Sequence, residues 1–148
     1  MNAITLPAEY SYVLLAATST FIVNIYHMTL TGKHRKLSGV KYPTCYASAE
    51  LAEKDPKAFA FNCAQRAHAN FTENLTPFLT VLAVAGLRYP VFAAAAGGAW
   101  SFFRILYARG YAANGPQGRL IGGTPASLIG ASLGAMALYS SVMFVLGK

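Results

Sequence analysis

Arg66, Asn70 and Glu73 stand at i, i+4 and i+7 in an otherwise apolar stretch, so a forked cation, an amide and a carboxylate share one helix face. Together they supply donors for carboxylates and an acceptor for an amino group, the complement of a small zwitterion. The competing reading is an internal Arg66–Glu73 pair that only neutralises charge, since buried ion pairs alone are weak signs of function. A second polar face follows at Arg104, Tyr107 and Tyr111, spaced i, i+3 and i+7, with Arg109 pointing elsewhere as an interfacial anchor. Tyr111 taken alone fits the aromatic belt of a membrane helix end, whereas Tyr107 lies a turn deeper beside Arg104. Arg119, just before the last apolar run, is either an orientation-setting charge or a guanidinium over the mouth of the site. In the second role it stabilises a thiolate or a developing anion without exchanging a proton.

Other chemistry has little support. His68 lies about 200° around the helix from Arg66, and His27 and His34 have no partner at metal-ligand spacing. Cys45 and Cys63 form no metal or redox motif and read as free thiols. The sequons at Asn70 and Asn74 fall inside an apolar span, where they are not glycosylated. No G-x-S-x-G, phosphate-cradling glycine loop or H-E-x-x-H occurs. The reacting group therefore belongs to a bound polar cosubstrate, beside lipid that delivers an apolar partner.

The elements that position these residues follow from composition. The 148 residues are 55% hydrophobic and 11% charged, far below the roughly 25% charged content of soluble domains. Four spans are expected in one domain covering 1–148: Tyr10 to Leu30, Phe59 to Leu87, Val91 to Tyr111 and Leu120 to Leu146. The fold class is an all-α membrane protein, a four-helix transmembrane bundle, because long continuous apolar runs do not fit the short alternating strands of a barrel. The N-terminus lacks the pattern of a cleaved secretory signal, so the first span is read as permanent. The polar first half of the second span must be shielded, and Ala93 to Ala99 is a packing surface of small residues. Gly130 and Gly134 form a G-x-x-x-G that serves intrachain packing or a contact between subunits.

Lys33, Arg35, Lys36, Lys41, Lys54 and Lys57, six of the twelve basic residues, fall in one turn-rich stretch read as a long exposed loop. The positive-inside rule places it and the loop at Arg119 in the cytosol, and the termini on the other side. The net charge of +7 is thus a topology marker or a contact for anionic lipid, not a nucleic-acid face.

At the same residues the chain resembles the MAPEG family, membrane-associated proteins of eicosanoid and glutathione metabolism, and within it the microsomal glutathione S-transferase type-three group. The likeness is carried by Glu9 to Leu15, by Val40-Lys41-Tyr42-Pro43, by Phe61 to Asn70, and by Arg104 to Tyr111. The pair R-x-x-x-N-x-x-E and R-x-x-Y-x-x-G-Y is its most specific part. The resemblance implies a homotrimer, with glutathione bound between neighbouring subunits near the cytosolic side. It further implies that Arg66, Asn70, Glu73, Arg104, Tyr107 and Tyr111 hold glutathione, that Arg35 reaches its carboxylates, and that Arg119 stabilises its thiolate. One departure is Glu73-Asn74-Leu75-Thr76-Pro77, where the family commonly reads Glu-Tyr-Phe-Pro, which moves the proline and removes a tyrosine contact.

The expected activity is glutathione transfer to lipophilic electrophiles or reduction of lipid hydroperoxides, in the endoplasmic reticulum or else the outer mitochondrial membrane. Two alternatives stand beside it: a non-catalytic lipid-binding scaffold of the same fold, and a small transporter subunit that uses the intramembrane charges as a path. The nearly bare first and last spans weigh against transport.

Overall fold

The computed structural model describes residues 6–148; residues 1–5 of the expected domain lie outside the described residues. Helix follows helix: α1 (Tyr10–Ser38), the short α2 (Ala49–Lys54), α3 (Pro56–Arg88), α4 (Pro90–Gly118) and α5 (Leu120–Val145). No strand occurs among the described residues. α1, α4 and α5 are long and apolar enough to cross a membrane, each containing an 18-residue stretch with a mean hydropathy of 1.5, 1.3 and 1.8 respectively, as fits an integral membrane protein. α3, at 33 residues, is about 50 Å long, but its polar first half keeps it out of that set.

Local chemistry explains the boundaries. Pro56 and Pro90 open α3 and α4 at the first helical position, where a missing N–H costs nothing, and Asp55 caps α3 by accepting from the Lys57 N–H at 2.8 Å. Gly39, at φ 70°, ends α1 in the left-handed conformation that glycine adopts freely. α1 therefore runs eight residues beyond the expected end at Leu30, and α2 takes up part of the stretch read as loop. Charge marked where lipid ends, and lysines are good helix formers that do not stop a helix in water.

Between the third span, expected to end at Tyr111, and the fourth, expected to begin at Leu120, α4 continues to Gly118 through a bend. Gly115 has φ 65° and ψ −156°, open only to glycine. Beyond it the chain folds back so closely that a Cβ on Gly110 would strike the carbonyl of Gly118.

α3 and α4 pack against each other; α1 also packs on both, and α5 packs on both. The shared core is an aromatic stack in which Phe78 lies on Trp100 at 3.8 Å, Phe71 tilts toward Trp100 at 6.0 Å, and His27 of α1 stacks on Phe71 at 4.7 Å. Ala93 and Gly97 carry the close approach expected of the small-residue run: a Cβ on Gly97 would sit 3.0 Å from both Ala16 and Leu82. Gly130 and Gly134 behave differently. Nothing lies within 4 Å of a Cβ built at either, so this G-x-x-x-G does not serve packing within the described chain.

Candidate functional site

Arg104 is the centre of the site. It sits one turn beyond Trp100 on α4, so the aromatic stack buries it to 5% exposure, with its guanidinium 4.5 Å from the Tyr107 ring and 5.5 Å from that of Trp100. Its Nη2 donates to Asn70 Oδ1 at 2.9 Å, joining the two polar faces read from the sequence. A guanidinium only donates, so this bond settles the amide: the oxygen of Asn70 turns inward and its NH₂ is left as an outward donor. Asn74 Nδ2 donates to the Asn70 backbone carbonyl at 2.8 Å.

Arg66 and Glu73 form a bidentate pair on the outer face of α3, at 2.7 Å and 3.2 Å. Within this polar half, the described residues do not shield Arg66 and Glu73, whose side chains remain 47% and 53% exposed. Arg66 lines a groove of about 530 Å³ with Tyr46, Glu53, Asn62, Cys63 and Tyr111. Tyr111 is 8% exposed and packs edge-on against Tyr107 at 5.8 Å, so it faces inward in a way that a belt anchor would not.

Arg119 is exposed, lies between α4 and α5, and places its guanidinium 5.6 Å from the Tyr111 ring. Gly122 makes this possible. A Cβ there would collide with the Phe103 carbonyl and the Tyr107 N–H, so only glycine lets the first turn of α5 lie against the α4 backbone. The result is a groove of about 610 Å³ bordered by Asn70, Asn74, Arg104, Tyr107, Arg119 and Ser127.

Arg35 lies apart from this group. Its Nη1 donates to the Thr44 carbonyl at 2.7 Å, and its guanidinium lies between the Tyr42 and Phe61 rings at 4.2 Å and 4.6 Å. The groove it lines includes Cys45, Gln65 and His68, on the other side of α3 from Arg66.

These residues lie within a larger match. The sequence profile of the MAPEG family matches residues 13–139. The chain belongs to the MAPEG family. All eight residues expected at the site fall within the matched span; in this MAPEG chain Asn70, Arg104, Tyr107 and Arg119 border one groove, Arg66 and Tyr111 line the other with Glu73 paired to Arg66, and Arg35 lies apart from both.

Several polar residues of the MAPEG chain escaped the charge-based reading. Thr20, Asn24, His27 and Thr31 repeat every three or four residues along α1 and turn inward: Thr20, His27 and Thr31 are buried, and Asn24 Oδ1 lies 3.2 Å from His68 Nε2. The first span is bare of charge but not of polarity, and the helical spacing was the signal. Thr124 and Ser127, at i and i+3 of α5, border the larger groove in the same way.

Proposed function

We propose that the protein is a membrane-bound glutathione transferase with glutathione peroxidase capacity, of the microsomal type-three kind. The observation that carries this reading is the chain of contacts in which Asn70, on the α3 face that carries the Arg66–Glu73 pair, binds Arg104, while Arg119 borders the same groove as Asn70 and lies against the Tyr111 ring. The Arg66 fork suits a glutathione carboxylate and Glu73 suits its ammonium group. The Asn70 NH₂ supplies a further donor, and Arg119 is placed to favour the thiolate over the thiol.

In conjugation, the thiolate sulfur bonds to the electrophilic carbon and the leaving group departs with its electron pair. In peroxide reduction, the sulfur attacks the terminal hydroperoxide oxygen, the O–O bond breaks and the alkoxide takes a proton. A second glutathione then reduces the sulfenic acid to the disulfide, releasing water. Arg35, on the other side of α3, joins this set only if a second copy of the chain presents it, in keeping with a homotrimer whose glutathione site lies between subunits. The exposed Arg66–Glu73 pair and the outward Gly130 and Gly134 suit such an interface. Residence in the endoplasmic reticulum, with the basic loop in the cytosol, belongs to the same proposal.

One observation favours the lipid-binding scaffold instead: Arg66 and Glu73 already satisfy each other. The two readings separate in purified protein given glutathione with either a fatty-acid hydroperoxide or a chlorinated aromatic. The enzyme turns over at least one of them and loses most of that rate in Arg119→Ala. A scaffold shows no turnover and no thermal protection by glutathione.

A further inference from the structure

The basic end of α1 holds a groove of about 310 Å³, lined by Gly32, Arg35, Lys36, Gly39, Val40 and Tyr42. Gly32, Lys36 and Gly39 stand at i, i+4 and i+7, so the two glycines leave one helix face bare on both sides of the Lys36 side chain. Nothing lies within 4 Å of a Cβ built at either. Arg35 fixes the outer wall: its Nη1 donates to the Thr44 carbonyl at 2.7 Å, and its guanidinium lies 4.2 Å from the ring of exposed Tyr42. Lys36 is left free. Among the described residues the ion pairs are Lys54–Glu50 and Arg66–Glu73, so Lys33 and Lys36 have no carboxylate partner.

Depth and continuity decide what fits there. At 1.5 Å per residue, Lys36 lies about 9 Å beyond Leu30, where the apolar run ends, and Gly32 about 3 Å beyond it. The headgroup layer is roughly 5–7 Å thick on each side of the hydrocarbon, and helix side chains lean toward the N-terminus, which turns the Lys36 ammonium back into that layer. Phe21, Ile25 and Met28, all exposed, precede Gly32 on the same face of α1 at helical spacing, so an apolar track for an acyl chain runs directly into the groove. We propose that the groove holds the phosphate of an anionic phospholipid, with Lys36 and Lys33 as its cations, the Tyr42 ring beside the headgroup and an acyl chain along the track. The carbonyl end of α1 opposes an anion with about half a charge, which the two lysines outweigh. A choline headgroup brings its own cation against them. The site rests on the membrane-spanning fold and not on glutathione chemistry, so it stands or falls separately from the activity proposed above.

The full-length protein in detergent is titrated, without glutathione, with phosphatidylserine and in parallel with phosphatidylcholine of the same acyl chains, and bound lipids are counted by native mass spectrometry. One phosphatidylserine per chain is expected to bind at least tenfold more tightly than phosphatidylcholine. Lys36→Gln is expected to weaken it about fivefold, the contribution of one lysine near a membrane surface. Lys57→Gln removes the same charge outside the groove and is expected to change it less than twofold. Gly32→Leu keeps every charge, strikes no neighbour and favours the helix, yet fills the groove, so it is expected to erase the preference for phosphatidylserine. Equal losses in Lys36→Gln and Lys57→Gln would show diffuse attraction and overturn the proposal, as would an unchanged preference in Gly32→Leu. Displacement of the lipid by millimolar glycerophosphoserine would assign the groove to a soluble anion and overturn it too.

Discussion

Asn70 is the residue whose two ends do different work, and Asn70→Asp separates them. Its oxygen is the polar acceptor for the buried Arg104 guanidinium at 2.9 Å, while its NH₂ faces outward. Asn70→Asp keeps an acceptor for Arg104 and replaces the outward donor with a second oxygen. Asn70→Ala removes both and leaves a buried cation without a polar partner. A hydrogen bond to a charged group contributes about 1.5–3 kcal/mol, so Asn70→Ala is expected to lower stability by roughly that amount. Asn70→Asp is expected to unfold at or above the wild-type temperature, since it converts the contact into an ion pair. Glutathione affinity is expected to fall in both, because the lost donor to a carboxylate is a charge-assisted bond of the same size, about 10- to 150-fold in Kd. In Asn70→Asp, repulsion between carboxylates adds to that loss. Isothermal titration with glutathione, paired with thermal unfolding in detergent, reads both quantities. Wild-type glutathione affinity in Asn70→Asp would refute the assignment of the outward amide to ligand binding, and unchanged stability in Asn70→Ala would refute its role in holding Arg104.

Gly122→Val forces a side chain into the α4 backbone and is expected to lower stability by at least the 1–3 kcal/mol typical of overpacking, with a fall in glutathione-dependent turnover as Arg119 moves off Tyr111; thermal unfolding and rate assays check this together. Arg119→Lys keeps the charge but not the planar fork, so its rate is expected to lie between wild type and Arg119→Ala at unchanged stability, and a rate equal to that of Arg119→Ala would show that charge alone is insufficient. A membrane-impermeant maleimide added to sealed right-side-out microsomes is expected to label exposed Cys45 rapidly and buried Cys63 at least tenfold more slowly; absence of Cys45 labelling until the vesicles are opened would reverse the proposed topology.

Much of this arrangement was legible in the chain because charge is rare in it. Each cationic or acidic residue inside an apolar run demands a partner, and spacing alone put Arg66 with Glu73 and gave Arg104 a face to present to Asn70. The junctions between the second and third spans, at Pro90, and between the third and fourth, at Gly115, were legible because proline or glycine supplied the reason, whereas α3 opens at Pro56, three residues ahead of the expected start at Phe59. The far end of α1 was not, because basic residues report the edge of the membrane and say nothing of where a helix stops. The inward stripe of Thr20, Asn24, His27 and Thr31 was overlooked for a related reason: a neutral polar side chain leaves no mark in a scan for charge. The separation of Arg35 from Arg66 lay beyond spacing altogether, since the two residues sit on different helices and only packing decides which sides of α3 they occupy.

The bend at Gly115 acts as a ruler. With Gly110 and Gly118 folded back onto each other and Gly122 seated on the α4 backbone, the segment between them has no slack, so its length alone sets where Arg119 lands. One residue inserted after Gly115 would carry that guanidinium away from Tyr111 while every groove-lining side chain kept its identity. In chains built this way, two sequences can agree at every position of the site and still differ in what they do, because the difference is held in a distance along the backbone.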